Sequence, residues 1–342
     1  MNDATNDRKI RHIRTIEADR ETDRRKYYFD DIRLKHRALP ELDLKLVDPS
    51  VTFMEKRLSF PLLISSMTGG DHELVRKINR NLALAAEETG VAMGVGSQRV
   101  MFSHPMSRGS FDLRTYAPNA LLLSNLGAVQ LNYGFTIEMC KEALKVVGAD
   151  ALILHLNPLQ EAVQPDGNTD FSELAAKISH IAQRLEKPVV LKEVGAGMSE
   201  EDVRLVVEGG IRYLDVAGAG GLSWSRIEHH SLMDAERDDL GLTFQDWGIP
   251  TPQALMALKP YRDRVTLIAS GGIRSGIDMV KALILGASLC GLASPFLKPA
   301  MESAELVIEA IQRLRREFVT TMFLLGVGTA EQLVGNEGLL LK

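Results

Sequence analysis

Cysteine is almost missing from this 342-residue chain. There are two, Cys140 and Cys290, far apart. They cannot form a disulfide framework or a CxxC metal pair, and both fall in segments that read as packing. Long apolar runs are also missing, and no stretch approaches the roughly 18 residues a membrane helix needs. The first twenty residues, MNDATNDRKIRHIRTIEADR, are polar from the second position and lack the apolar core of a secretory signal. No GxGxxG follows a strand and no P-loop occurs, which excludes a Rossmann dinucleotide domain. Any nicotinamide would then bind transiently, against another cofactor. Nor is there an excess of positive charge. Forty Lys and Arg against 45 Asp and Glu leave a net charge of −5, which disfavours nucleic acid as a partner. An anionic ligand would need a local basic cluster. The expectation is a cytoplasmic protein with neither nucleic acid nor membrane as partner.

What is present is ordinary globular material, 45% apolar and 25% charged. From residue 61 onward, short apolar runs alternate with amphipathic segments. Strands are predicted at 61–66, 91–95, 120–124, 151–156, 188–192, 211–216, 265–269 and 288–293, each short and bounded by Gly, Pro, Asn or Asp. Leu74, Ile78, Leu82 and Ala85 share one helical face, as do Phe171, Leu174, Ile178, Ile181 and Leu185. Ser199 before Glu200, Glu201 and Asp202 reads as an N-cap. Eight strands, each followed by a crossover, predict an α/β fold, the (β/α)8 TIM barrel. Three parts exceed the bare barrel. They are an N-terminal extension over residues 1–60, a long insertion after strand six at 217–250 with no clear period, and a Gly-rich tail after a last helix at about 299–325. The domain reading is accordingly 1–60 as extension and 61–342 as barrel.

Barrels of this class carry their sites at the C-terminal ends of the strands, and here all eight ends are polar or Gly-rich. Strand seven ends in Gly271-Gly272-Ile273-Arg274, leading into a helix. Glycines there let backbone N–H groups approach a phosphate, and the loops after strands seven and eight are the usual phosphate site of such barrels. Lys192 closes an apolar strand and is suited to stabilising an anion, forming a Schiff base or pairing with a carboxylate. Asn125, at the end of strand three, is either a turn residue or a ligand. The run His155-Leu156-Asn157-Pro158-Leu159-Gln160-Glu161 offers an imidazole, amides and a carboxylate. Glu161 is either a helix-start acid or a Mg²⁺ ligand working with substrate phosphate oxygens, and His155 either a core histidine or a site residue. Arg8-Lys9-Ile10-Arg11-His12 is either a solvated arm or a flap neutralising a substrate phosphate. His229 and His230 read as surface residues.

These pieces together resemble the type II, FMN-dependent isopentenyl diphosphate isomerases along nearly the whole chain. The matching runs are RKIRHI (8–13), FDDIRLKHRALPE (29–41), SSMTGG (65–70), GSQR (96–99), SNLG (124–127), HLNPLQE (155–161), LKEVG (191–195), DWGIPT (246–251) and ASGGIR (269–274). The resemblance implies 1,3-allylic proton rearrangement of isopentenyl diphosphate to dimethylallyl diphosphate in isoprenoid biosynthesis. Reduced FMN would act as acid and base, NADPH only as its reductant. It implies FMN contacts from Ser66, Met67, Thr68, Gly69, Ser97, Asn125 and Lys192, with the flavin phosphate against Gly271, Gly272, Ile273 and Arg274 and against Ala293 and Ser294. Substrate contacts would come from Arg8, Lys9, Ser97, Gln98 and Arg99. Gln160 would face the hydrocarbon, His155 and Asn157 would shape the pocket, and Glu161 would hold Mg²⁺. A homotetramer or larger homo-oligomer is implied as well. The chain departs from the family at Ala217 and Leu222, where two hydroxyl-bearing residues are usual, and at Pro165-Asp166-Gly167-Asn168, which replaces PEGD.

Overall fold

The computed structural model describes residues 4–67, 69–231 and 238–341. Its centre is a closed barrel of eight parallel strands: β3 (Leu62–Ile64), β4 (Ala92–Gly94), β5 (Leu122–Gly127), β6 (Ala151–Leu156), β7 (Val189–Glu193), β8 (Tyr213–Asp215), β9 (Thr266–Ser270) and β10 (Ala287–Leu292), with β10 pairing back onto β3. All eight predicted strands are found, and β6 has the predicted bounds. Alternation sorts the side chains. Leu63, Ala92, Leu123, Ile153, Val190, Ile268 and Leu289 fill the interior, while Leu62, Ile64, Leu122, Leu152 and Leu191 pack outward against the helices. Both faces are buried, which is why the strands read as continuous apolar runs.

The N-terminal extension serves both ends of this barrel. Helix α1 (Ala4–Ala18) lies at the mouth, and a hairpin of β1 (Val51–Phe53) and β2 (Lys56–Leu58) closes the opposite end. Phe53 and Leu58 cap the interior cluster. Lys56 Nζ donates to the carbonyls of Asn119 and Ala120 and pairs with Asp150 at 3.0 Å, just before β5 and β6. Between the two ends, the chain is pinned along the flank where Lys281 Nζ donates to the Phe29 carbonyl and Lys35 N to the Leu339 carbonyl.

The outer layer comprises α2 (Glu73–Thr89), α3 (Val100–Ser103), α4 (Ile137–Val147), α5 (Pro158–Val163), α6 (Leu174–Arg184) and α7 (Glu200–Val207), then α8 (Trp224–Ser231), α9 (Leu240–Thr243), α10 (Thr251–Ala257), α11 (Gly276–Ile284), α12 (Ser294–Glu302) and α13 (Ala304–Leu325). Ser199 caps α7 in a full capping box with Asp202. Several expectations need correction. The last predicted helix is two, broken where Ser303 turns extended and caps α13. Phe171 and Leu185 flank α6 rather than belong to it, because Glu173 enters the left-handed region before the first turn. The insertion after β8 is partly helical, and its α8 packs against α1. His229 is buried and not a surface residue, while His230 reaches Asp19 at 3.2 Å. The two cysteines are buried, and burial pushes the Cys140 thiol up to about 12. Among the described residues no helix is long and apolar enough to cross a membrane.

Candidate active site

A cavity of about 330 Å³ opens at the C-terminal ends of the strands and is roofed by α1 and α8. Its floor is a closed polar triangle. Lys192 Nζ lies 2.7 Å from Asp215 Oδ2 and 3.1 Å from Ser270 Oγ, and the Ser270 hydroxyl donates to Asp215 Oδ1 at 2.6 Å. These residues stand at the C-terminal ends of β7, β8 and β9: Lys192 is the register partner of Asp215 across the β7–β8 ladder, and Ser270 lies two residues beyond Ile268, the partner of Asp215 on β9. One wall carries Asn125, whose Oδ1 sits 2.7 Å from His155 Nδ1. Burial and the Lys9 and Lys192 cations push His155 down to about 3, so the ring is neutral.

At the opposite rim, Gly271, Gly272, Ile273, Ala293 and Ser294 line the cavity. Glycine is required at 271, where φ is 90° and a Cβ would fall 2.1 Å from the Gly218 carbonyl oxygen. Thr251, from the DWGIPT run, donates its hydroxyl to the Ser270 and Gly271 carbonyls and fixes this turn. The helix whose N-terminus is open to the cavity is α12, not α11. Helix α12 starts at Ser294, its N-cap position Ala293 offers no side-chain cap, and Pro295 lies in its first turn. In α11, by contrast, Ser275 caps Asp278 N and Glu317 accepts from Gly276 N. Of the two loops expected at the flavin phosphate, the one after strand eight leads into a helix start without a side-chain cap, while the one after strand seven leads into a capped helix. Arg274 lines the cavity edge, but its guanidinium is bidentate on Asp23 at 2.6 and 3.1 Å, donates to the Arg24 and Gly220 carbonyls and stacks on Tyr27. It holds the 19–27 segment over the mouth rather than reaching out as a free cation.

The roof brings together groups distant in sequence. Gln160 Nε2 donates to Glu228 Oε1 at 2.6 Å, and His12 Nε2 lies 3.1 Å from the same oxygen, with the His12 ring edge-on to Trp224. Burial lowers the His12 pKa against the opposing pull of Glu228. The carboxyl of Glu228 is held below its usual range by His12 and by the Gln160 hydrogen bond, which overcome its burial. Lys9 also faces the cavity, and burial followed by repulsion from Arg8 lowers it to about 8. Ser65 Oγ and Ser66 Oγ, both lining residues, are buried without a hydrogen-bond partner.

Of the residues named from sequence, Ser66, Met67, Ser97, Asn125, His155, Gln160, Lys192, the 271–274 turn, Ala293, Ser294 and Lys9 share this cavity. Thr68 lies outside the described residues. Others do not line it. Gln98, expected on the substrate, is fully buried. Its Nε2 donates to the Ala143 carbonyl and its Oε1 accepts from Ser124 Oγ and Asn125 N, so it braces the turn that carries Asn125. Gly69 is covered by the Phe111 ring, which would sit 2.3 Å from a Cβ there. Asn157 is buried and donates to Gln160 Oε1 and Glu161 Oε1, positioning both. Glu161 also accepts from Asn168 N at 2.6 Å. Among the described residues no group of three His, Cys, Asp or Glu side chains forms a metal cluster. Arg8 donates to Gln164 Oε1, and Arg99 is exposed, but both add positive charge around Lys9. Sequence reasoning placed His12 only within the basic cluster and Asp215 only at a strand end, and it gave no role to Glu228 or Thr251. Glu228 stood inside an insertion with no period, and Asp215 carried no signal beyond its place at a strand end.

A family model described as FMN-dependent dehydrogenase matches residues 131–339. The isopentenyl-diphosphate delta-isomerase of Paracoccus zeaxanthinifaciens is 54% identical over 97% of this chain and 96% of its own length. That of Hydrogenovibrio crunogenus is 50% identical over 97% of each. This chain belongs to the isopentenyl-diphosphate delta-isomerase family. Among solved structures, the flavin-binding domain of baker's yeast flavocytochrome b2 aligns with a TM-score of 0.65 at 21% identity, covering 94% of this chain and 78% of that one. A variant of the active chimera of (S)-mandelate dehydrogenase aligns with a TM-score of 0.65 at 18% identity, covering 98% and 91%. At such identities the likeness shows the shared barrel fold alone. Of the two positions expected to depart from the family, Ala217 stands in the left-handed region with φ 34° and Leu222 presents an apolar wall; both line the cavity.

Proposed function

We propose that this chain converts isopentenyl diphosphate to dimethylallyl diphosphate, with reduced FMN held in the barrel-mouth cavity. The observation that carries this reading is one cavity with two unlike ends. A backbone cradle and a lysine-bearing floor suit a flavin, while a roof of Lys9, His12, Gln160 and Glu228 suits a small anion with a hydrocarbon tail. The fit to FMN is supported by the unpartnered Ser65 and Ser66 hydroxyls, by the glycines of the 271–272 turn and by the uncapped start of α12. Bound and reduced, FMN supplies the exchangeable proton and a negative ring that stabilises developing cationic charge in the hydrocarbon.

The chain's own side chains do the rest. Lys9 neutralises the diphosphate, with Arg8 and Arg99 contributing field and Ser97 a hydroxyl. Gln160, fixed by Asn157 on one side and Glu228 on the other, orients the hydrocarbon and passes hydrogen-bond polarity from Glu228 toward it. Neutral His155 and Asn125 shape the wall. Trp224 and Leu222 exclude water. Glu161, behind the cavity wall with one hydrogen bond on each oxygen, would be the lone protein carboxylate for Mg²⁺ through its remaining lone pairs, and water and diphosphate oxygens would supply the other ligands. NADPH serves only to reduce FMN.

The deciding experiment measures product formed against NADPH oxidised. Double-bond transposition has no net redox change, so the expected ratio is far above one after the flavin is reduced. One-to-one stoichiometry would replace the isomerase reading with that of an oxidoreductase.

A further inference from the structure

Among the buried charged groups that the mechanism above does not use, Asp215 lies nearest the cavity floor. Asp215 is fully buried at the end of β8 and is not among the cavity-lining residues, yet it makes the strongest contacts of the floor. Its Oδ2 takes the Lys192 ammonium at 2.7 Å, and its Oδ1 accepts from Ser270 Oγ at 2.6 Å and from Ala217 N at 3.2 Å. Lys192 and Ser270, by contrast, both face the cavity. The lysine therefore meets whatever lies above it as half of an ion pair.

We infer that Asp215 is a positioning residue that keeps the cavity floor electrically neutral, so that the proton affinity of the bound flavin is set by a Lys192–Asp215 pair and not by a bare cation. The inference deepens the FMN reading and rests on it. Its physical basis is the way a buried charge acts at short range with little screening. A lone ammonium facing the cavity would stabilise an anionic reduced ring bound there and lower that ring's appetite for a proton. A catalyst that must hand a proton over and take it back each turnover is served by the opposite. Asp215 cancels the field while Ser270, bonded to both partners, fixes the lysine's direction.

The test is a charge ladder read as redox potential in the FMN-loaded protein. The unsubstituted chain, Asp215→Asn, Lys192→Met and the double variant present floors of neutral, positive, negative and neutral charge. All four are titrated from pH 6 to 9.5, so that a lone Lys192 is read charged at the low end and a lone Asp215 ionised at the high end. Dye-equilibrated titration gives the affinity for reduced FMN relative to oxidised FMN. Asp215→Asn should raise that ratio about tenfold or more, which is about 30 mV for a two-electron couple. Lys192→Met should lower it by a similar factor, and the double variant should return to within about threefold of the unsubstituted value. A role confined to folding would weaken FMN binding in both redox states without this order. Should Asp215→Asn fail to fold, Lys192→Met against the double variant still decides, because removal of the leftover carboxylate must bring the ratio back. With FMN retained, equal ratios in the unsubstituted chain and Asp215→Asn, or in Lys192→Met and the double variant, overturn the inference alone. Failure of the unsubstituted chain to retain FMN overturns the FMN reading and the inference with it.

Discussion

Lys9→Met tests whether α1 is part of the substrate site. In the free protein Lys9 is lowered from its usual 10.5 to about 8, chiefly by burial and then by Arg8, with Glu228 and Glu161 opposing. That depression amounts to roughly 3 kcal/mol against the cation at about 1.4 kcal/mol per pH unit. A diphosphate brought into contact supplies the missing counter-charge and recovers most of this. Loss of about 2–3 kcal/mol of binding raises KM by about 30- to 150-fold. Methionine keeps the apolar stem, so fold and FMN content should be unaffected. The pH dependence carries its own sign. Substrate binding needs the charged lysine, so kcat/KM of the unsubstituted protein, which reports the free enzyme, should fall about tenfold per pH unit above about 8. Lys9→Met should lack that limb. Stability should move the other way: between about 8 and 10.5 the unfolded chain binds more protons, so this group's contribution rises with pH. Steady-state kinetics on isopentenyl diphosphate under reducing conditions, from pH 6.5 to 9.5, provide the assay. A KM within threefold of the unsubstituted value, with the basic limb intact, would refute placement of α1 over the diphosphate.

Glu228→Gln preserves shape but turns the charge-assisted bonds to Gln160 and His12 into neutral ones. At about 1–2 kcal/mol it should cut kcat by about 5- to 30-fold with FMN content unchanged, and a kcat within twofold would remove the relay from the reaction. Glu161→Gln should lower activity sharply and flatten its response to added Mg²⁺; a Mg²⁺ dependence identical to that of the unsubstituted protein would place the metal elsewhere. Glu193, fully enclosed and accepting from Gly195 N, Ala196 N and Gly197 N, is pushed up to about 7 by burial. The folded state therefore binds more protons than the unfolded state between about 4.5 and 7, and this group's contribution to stability falls as pH rises through that window. Thermal melts of Glu193→Gln should consequently gain on the unsubstituted protein from pH 5 to 7.5, and a constant or shrinking difference would refute the assignment.

The barrel was legible because each strand is buried on both faces, so that a short apolar run with glycine or polar ends is sufficient signal. For the same reason the strand ends named most of the floor and wall. Lys192, Asn125, His155 and the 271–274 turn face one cavity because parallel strands deliver their C-terminal residues to one rim. The motif runs also indicated the family, since segments such as HLNPLQE and GSQR keep their order along the barrel. The sequence could not tell which side chains at those ends point inward. Gln98 and Ser97 are neighbours, yet one braces the strands and the other lines the cavity. Nor could it say that Arg274 would be spent on Asp23, some 250 residues away. Charge partnership is a property of distance in space: Lys192 becomes half of a neutral pair only when β7 and β8 lie side by side, and Glu228 meets Gln160 and His12 only when α8 folds under α1. Composition and periodicity determined the scaffold through burial, a nearly local rule. The protonation and orientation of the groups that do the chemistry were decided by contacts that only the closed barrel and its roof create.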